Sequence, residues 1–212
     1  MHFTAPRPGF GGPRVSFAAT PTPTVPRHAG KARGARTAQL AEASQAVEVL
    51  PEAGEYLLAT MTGRYDFAEL VAGVIDRLGT VEHLRLATLA FSRRNLDLMT
   101  RLLDSGSVRR LTLLCSVFFR RHNGEVYEAM REEFRARGQR AAASRSHCKI
   151  VCMDFTAGDP LLLEGSPNLR TNSNLEQLVM IRDRAAHDFR AAFIDSEVTA
   201  HESEQGDDQG AG

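Results

Sequence analysis

The run His147–Phe155 constrains the fold more than any other part of the chain. It reads His-Cys-Lys-Ile-Val-Cys-Met-Asp-Phe, and in a strand alternate side chains face opposite ways. Cys148, Ile150 and Cys152 then fall on one face, and Val151 and Met153 on the other. A strand that is apolar on both faces sits centrally in a sheet covered on both sides. The same alternation puts His147 and Lys149 on one face and Asp154 on the other. A His and a Lys at the end of a central strand are costly unless they face a cleft or have partners.

The flanking sequence supplies the covering layers. Tyr56–Met61 reads as a strand. Phe67–Leu78 has helical spacing (Phe67, Leu70, Val71, Val74, Ile75, Leu78) with Gly79 as a stop. His83–Phe91 reads as a strand, followed by a helix capped by Asn95 and ended by Gly106. Val108–Val117 is a strand and Gly124–Arg137 a helix closed by Gly138. After the His147 strand come a turn at Ala157–Pro160, strands at Leu161–Gly165 and Leu175–Ile181, and a last helix over Arg184–Ile194. In that helix Phe189, Ala192 and Phe193 are expected to face inward. The order predicts an α/β fold, a mixed, mostly parallel β-sheet flanked by helices on both faces, with hairpin strands near His147.

Six of the nine Pro lie in the first 26 residues. Residues 1–50 therefore read as a disordered basic Pro/Gly-rich arm with a short helix over 38–50. Residues 51–195 read as one folded domain, the one that carries the His147 run, and 196–212 as a disordered acidic tail. Three Cys, an odd number, argue against a disulfide framework and for a reducing compartment. There is no run of eighteen apolar residues and no continuous apolar leader. The expectation is a cytoplasmic protein with no stable membrane association.

Net charge is zero, but its distribution is uneven. Residues 85–149 hold fourteen basic and six acidic residues, whereas 42–84 hold two and eight. The local excess of positive charge favours a polyanionic partner. Of the 26 basic residues only Lys31 and Lys149 are Lys. Lysine offers one phosphate oxygen a compact point charge, which Arg does not, so a Lys at 149, beside His147, is informative.

The motif continues beyond the strand as Gly165-Ser166-Pro167-Asn168, then Glu176. Each residue has a job on a phosphodiester. An imidazole's ordinary pKa straddles neutrality, so a residue such as His147 can attack phosphorus or protonate a leaving alcohol. Lys149 and the Asn168 amide can bind the non-bridging oxygens, where charge accumulates in the transition state. Ser166 can add a hydroxyl or backbone donor. Glu176, in an apolar strand, needs a partner, for which a ring nitrogen of His147 is suited. Asp154, on the opposite face, is expected to tie down backbone or an Arg.

His147-x-Lys149-x4-Asp154 with Gly165-Ser166-x-Asn168 resembles the phospholipase D superfamily signature. Arg145-Ser146-His147, Glu164–Leu169, Glu176-Gln177 and Asp188-Phe189 resemble its single-motif bacterial and phage members, over roughly residues 55–195. The resemblance implies a mixed sheet flanked by helices and two motifs meeting across a twofold axis. One motif His would form a phosphohistidine, and the other would protonate the leaving group and later activate water. It implies no cofactor and no metal. Carried over, His147 serves both roles, Lys149 and Asn168 bind phosphate, Ser166 supports it, Glu176 orients His147, and Asp154 and Gly165 are structural. One motif per chain then implies an isologous homodimer. The ten residues between Asp154 and Gly165 exceed the family's usual spacing, which an extended hairpin at Thr156–Pro160 accounts for. Pro167 removes one backbone donor.

Arg93, Arg94, Arg120 and Arg121 follow predicted strands, on the side where open α/β sheets bind ligands. They are candidates for contact with a substrate backbone or for solvated loop charge. Cys148 and Cys152, four apart on a strand, would stand about 13 Å apart, too far to share a zinc. Three functions remain: a nuclease acting on DNA, another phosphodiesterase such as a phospholipase or phosphatidyl transferase, and a non-catalytic nucleic-acid-binding protein that retains a phosphate pocket.

Overall fold

Short connections decide the topology. The computed structural model describes residues 35–40, 47–61, 65–172 and 174–202. Its strands are β1 (Ala35–Leu40), β2 (Tyr56–Met61), β3 (Tyr65–Asp66), β4 (Val81–Ala87), β5 (Leu111–Ser116), β6 (Arg140–Ser144), β7 (Ile150–Phe155), β8 (Leu161–Gly165), β9 (Thr171–Asn172) and β10 (Glu176–Ile181). Its helices are α1 (Phe67–Leu78), α2 (Arg93–Asp104), α3 (Val117–His122), α4 (Gly124–Ala136) and α5 (Arg184–Glu202).

Eight strands form one sheet in the order β1-β2-β10-β8-β7-β4-β5-β6, and β3 pairs with β9 in a separate ladder. Neighbours β2·β10, β10·β8, β8·β7 and β7·β4 are antiparallel. Only β1·β2, β4·β5 and β5·β6 are parallel. The sheet is therefore mixed with an antiparallel majority, which corrects the mostly parallel expectation. Helices fill the β4–β5 and β5–β6 links and allow parallel crossovers, whereas the β7–β8 link is only Thr156–Pro160 and forces a hairpin. The β7, β8 and β10 strands insert between β2 and β4, a long-range choice that local periodicity does not encode.

The double-sided apolar pattern of β7 is realised. Val151 and Met153 join one core cluster with Leu84, Leu113, Leu163 and Met180 of the sheet and Leu70, Leu96, Phe119 and Phe134 of α1 to α4. Ile150 and Cys152 face the other way, against Ala191, Ile194 and Val198 of α5. Helices thus cover both faces, four on one and α5 on the other.

Several element boundaries differ from the sequence reading. Helix α2 starts after Ser92, whose side chain and that of Asn95 form a reciprocal capping box; Asn95 is the third helical residue, not the cap. The inward face of α5 is His187, Ala191, Ile194 and Val198. Phe189 is 58% exposed, and Ala192 is exposed. Phe193 is partly buried against that core, as expected, whereas Phe189 and Ala192 lie off the continuous 187-191-194-198 stripe. That stripe also carries α5 to Glu202, where Arg140 Nη2 holds the Glu202 carboxylate at 2.7 Å. Residues 196–202 are therefore helical, not part of a disordered tail. Residues 35–40, assigned to the arm, pair with β2. The arm up to residue 34, residues 41–46 of the short helix expected over 38–50, and residues 203–212 lie outside the described residues; Ala38–Leu40 belong to β1, which corrects the helix there. No described helix is long and apolar enough to cross a membrane.

Candidate active site

Register brings the motif together at one edge of the sheet. Ala87, the last residue of β4, pairs with Ile150, the first of β7. Ser116 and Ser144 close β5 and β6 side by side. Met61, ending β2, pairs with Glu176, starting β10. The Gly165 N–H at the end of β8 donates to Lys149 O at 3.2 Å, and Ser166 N–H donates to Gln177 O at 3.0 Å. His147, Lys149, Ser166, Asn168 and Glu176 are thus delivered to the same edge by three antiparallel strands. It is also the edge where parallel β2, β4, β5 and β6 end, the ligand side of an open α/β sheet.

Gly165 is fixed by this crossing. A Cβ at that position would overlap the Gln177 carbonyl oxygen and lie 3.1 Å from Gln177 C and Leu178 Cα, all of them backbone. Only glycine lets β8 and β10 approach closely enough to set Ser166 beside Glu176.

His147 and Lys149 precede β7, which begins at Ile150, so they stand on extended loop and not within the strand. They are nevertheless adjacent. Lys149 Nζ lies 2.7 Å from His147 Nδ1 and 2.8 Å from His147 O. An ammonium at Nδ1 requires that nitrogen to accept, which leaves the proton of the neutral ring on Nε2. Burial lowers Lys149 below the ordinary lysine range, and Cys148 and Glu176 oppose the shift. The Glu176 effect places its carboxylate in the field of Lys149.

Glu176 takes the Ser166 hydroxyl, and Ser166 Oγ accepts from Gln177 N–H at 3.0 Å. The sequence reading gave Glu176 to His147 directly. In the structure Lys149 stands at Nδ1, because it shares the His147 loop while Glu176 lies on β10. Asn168 Oδ1 is buried and has no hydrogen-bond partner among the described residues. Such an atom carries a desolvation cost until a ligand or a turned amide completes it. The loop bearing it is tied at Leu169, whose N–H donates to Thr88 Oγ1 at 3.4 Å, and at Thr171, whose hydroxyl donates to Asp66 Oδ2 at 3.2 Å. Asp66, only 3% exposed, also accepts from Ala68 N–H and Asn95 Nδ2. Asp66, Asn95 and Thr171 position this loop and were missed, because nothing local in the sequence links residues so far apart.

Asp154 is remote from the chemistry. Its Oδ2 accepts from Arg85 Nη1 at 2.7 Å, and Arg85 Nε donates to Asp195 at 2.8 Å, clamping β4 and β7 to α5. Asp154, His187 and Asp188 offer ligand atoms close enough to hold a metal ion. Arg85 and Arg184 already supply positive charge there, since Arg184 Nη1 stands 3.9 Å from both carboxylates. Burial pushes the Cys115 and Cys152 thiols up to about 12, which makes them packing residues, not nucleophiles.

The four candidate arginines divide. Arg93 pairs with Asp97 at 3.2 Å, and Arg94 with Glu69, so both are engaged on the protein itself. Arg121 is exposed on α3. Arg120 lines a cavity of about 530 Å3 whose wall includes His147. Much of the positive charge of residues 85–149 is likewise paired, Arg109 with Glu82, Arg137 with Asp104 and Arg140 with Glu202. The charge left near the edge sits close to His147.

No family model matches the chain, and no curated protein matches it. Among solved structures it is similar to the polyphosphate kinase of Porphyromonas gingivalis, at 16% identity and a TM-score of 0.48. The match covers 66% of this chain and 26% of that one, so the chain spans about a quarter of that enzyme's length.

Proposed function

We propose that the chain is a metal-independent phosphodiesterase, an endonuclease cleaving DNA through a phosphohistidine intermediate in a homodimeric active site. The observation that carries this reading is the meeting of His147, Lys149, Ser166, Asn168 and Glu176 at one sheet edge, with Lys149 Nζ 2.7 Å from His147 Nδ1. A cation, an amide and a titratable ring converging there form a cradle for a tetrahedral anion.

The proposed sequence of steps follows from that contact. An incoming phosphodiester draws Lys149 off Nδ1 and onto a non-bridging oxygen, with the Asn168 amide on another. Once Lys149 leaves, the ring gives up its Nε2 proton to solvent and takes one at Nδ1, where N–H donates to Glu176; this fixes the tautomer with the lone pair on Nε2. Nε2 attacks phosphorus while His147 of the partner subunit, entering as the imidazolium, donates its proton to the leaving alcohol and becomes neutral. That same ring next deprotonates water, which attacks the phosphohistidine and returns the enzyme. Leu175, 74% exposed, and Phe118, 57% exposed, stand at this edge and suit contact with a second copy.

The test is incubation of wild type and His147→Ala with plasmid, single-stranded DNA, phosphatidylcholine vesicles and a chromogenic phosphodiester, all in excess chelator. Chelator-resistant DNA cleavage that disappears in His147→Ala is expected. Cleavage that depends on added magnesium rejects the mechanism. Lipid hydrolysis without DNA cleavage moves the reading to a phospholipase, and salt-dependent DNA binding without turnover moves it to a binding protein.

A further inference from the structure

The end of β6 and the loop after it, α3, and the Phe193, Glu197 and His201 side of α5 line the cavity of about 530 Å3, with His147 in its wall. Ser144 lies against it, 3% exposed, and its Oγ has no hydrogen-bond partner among the described residues. A buried hydroxyl left unpaired is unfavourable, so the orphan points to a ligand group that completes it. Arg120 and Arg145 face the same space, and neither has a carboxylate partner among the described residues. Across from them stand Phe193 and Glu197, the latter 3.7 Å from His201 Nε2.

A bare phosphate would engage the arginines, leave most of the volume and the aromatic wall unused, and meet repulsion from Glu197. A nucleotide engages every part. Its phosphate lies on Arg120 and Arg145, the face of its base lies on Phe193, an exocyclic amino group donates to Glu197, and a ring acceptor takes the Ser144 hydroxyl. We propose that this cavity holds one unstacked nucleotide adjoining the phosphodiester bond presented to His147. The substrate is then single-stranded or locally unpaired nucleic acid, because a base within a duplex would first have to leave its stack. The inference rests on the phosphodiesterase reading and names the substrate class of that site.

Two assays separate the inference from the reading beneath it. In calorimetric titration of the full chain, dAMP, dGMP or dCMP at millimolar concentration binds about tenfold more tightly than 2-deoxyribose 5-phosphate. That preference falls in Glu197→Gln and Phe193→Leu, and also in Ser144→Ala, which removes an unpaired hydroxyl and keeps the fold. Equal binding of nucleotide and sugar phosphate, or binding of neither, overturns the inference whether or not DNA is cleaved. In cleavage assays a single-stranded oligonucleotide is cut at least about tenfold faster than its duplex, in a His147-dependent way. Equal rates overturn the inference and leave the role of His147 intact. Base-dependent nucleotide binding without cleavage of either polymer supports the cavity assignment and defeats the catalytic reading.

Discussion

Replacing Asp154 by Ala should cost stability and spare turnover. Asp154 is the acidic residue of the motif, yet its Oδ2 is 2.7 Å from Arg85 Nη1, and Arg85 is only 14% exposed. Hydrogen bonds to charged groups contribute about 1.5–3 kcal/mol each. Stranding a buried charge altogether costs about 3–5 kcal/mol. Arg85 retains Asp195 at 2.8 Å in the variant, so the loss stays below that range. We expect Asp154→Ala to lose about 2 kcal/mol, or about 6 °C in Tm for a domain of this size. Guanidinium denaturation at unchanged slope measures the first quantity. Turnover of the chromogenic phosphodiester, at a temperature where both proteins are folded, stays within about twofold. Asp195→Ala behaves similarly, and the double variant loses more than the sum of the two because Arg85 then has neither carboxylate. A hundredfold fall in kcat with unchanged stability would refute the structural assignment of Asp154.

Gly165→Ala drives a Cβ into the Gln177 carbonyl, so we expect a loss of about 3 kcal/mol, the upper end for overpacking against rigid backbone, visible in denaturation and as faster amide exchange of β8 and β10. His83 is held at about 4 against an ordinary 6.5, by burial first and then by Arg85 and Arg110. A depressed histidine leaves the unfolded state binding more protons below its ordinary value, so stability is full above about pH 6.5 and falls as pH drops toward about 4. Thermal melts of wild type and His83→Gln across that window check this, and a wild type that gains stability on acidification contradicts it. Lys149→Arg leaves the melting temperature within a degree or two but lowers kcat about a hundredfold, because a planar guanidinium cannot replace a point charge at one oxygen. A variant that keeps wild-type kcat removes Lys149 from the proposed cradle.

The sequence made legible whatever depends on local period. Helix α1 forms over Phe67–Leu78, and β7 alternates between two cores, because those patterns are set by neighbours in the chain. It did not reveal β6, whose Arg-Ala-Ala-Ala-Ser lacks the branched and aromatic residues of a typical strand. Nor did it reveal α3, which shares an apolar run with β5 and starts where Ser116 Oγ accepts from Phe119 N–H at 2.9 Å. For the site, spacing brought out His147, Lys149, Ser166, Asn168 and Glu176. Partners across the sheet, such as Asp66 with Asn95 and Thr171, depend on topology and stayed hidden. Glu176 shows the difference well. That it needed a partner was readable, but that Ser166 is one of its partners followed only from the β8–β10 crossing at Gly165.

The central claim is that two copies of His147 build one active site, and subunit mixing tests it most directly. Wild type and His147→Ala are co-expressed at known ratios, and activity is measured per total protein. If each site needs two His147 rings, activity follows the square of the wild-type fraction and is about one quarter at equal mixing. Activity of about one half at equal mixing, linear in the wild-type fraction, would show that each chain acts alone and would contradict the account.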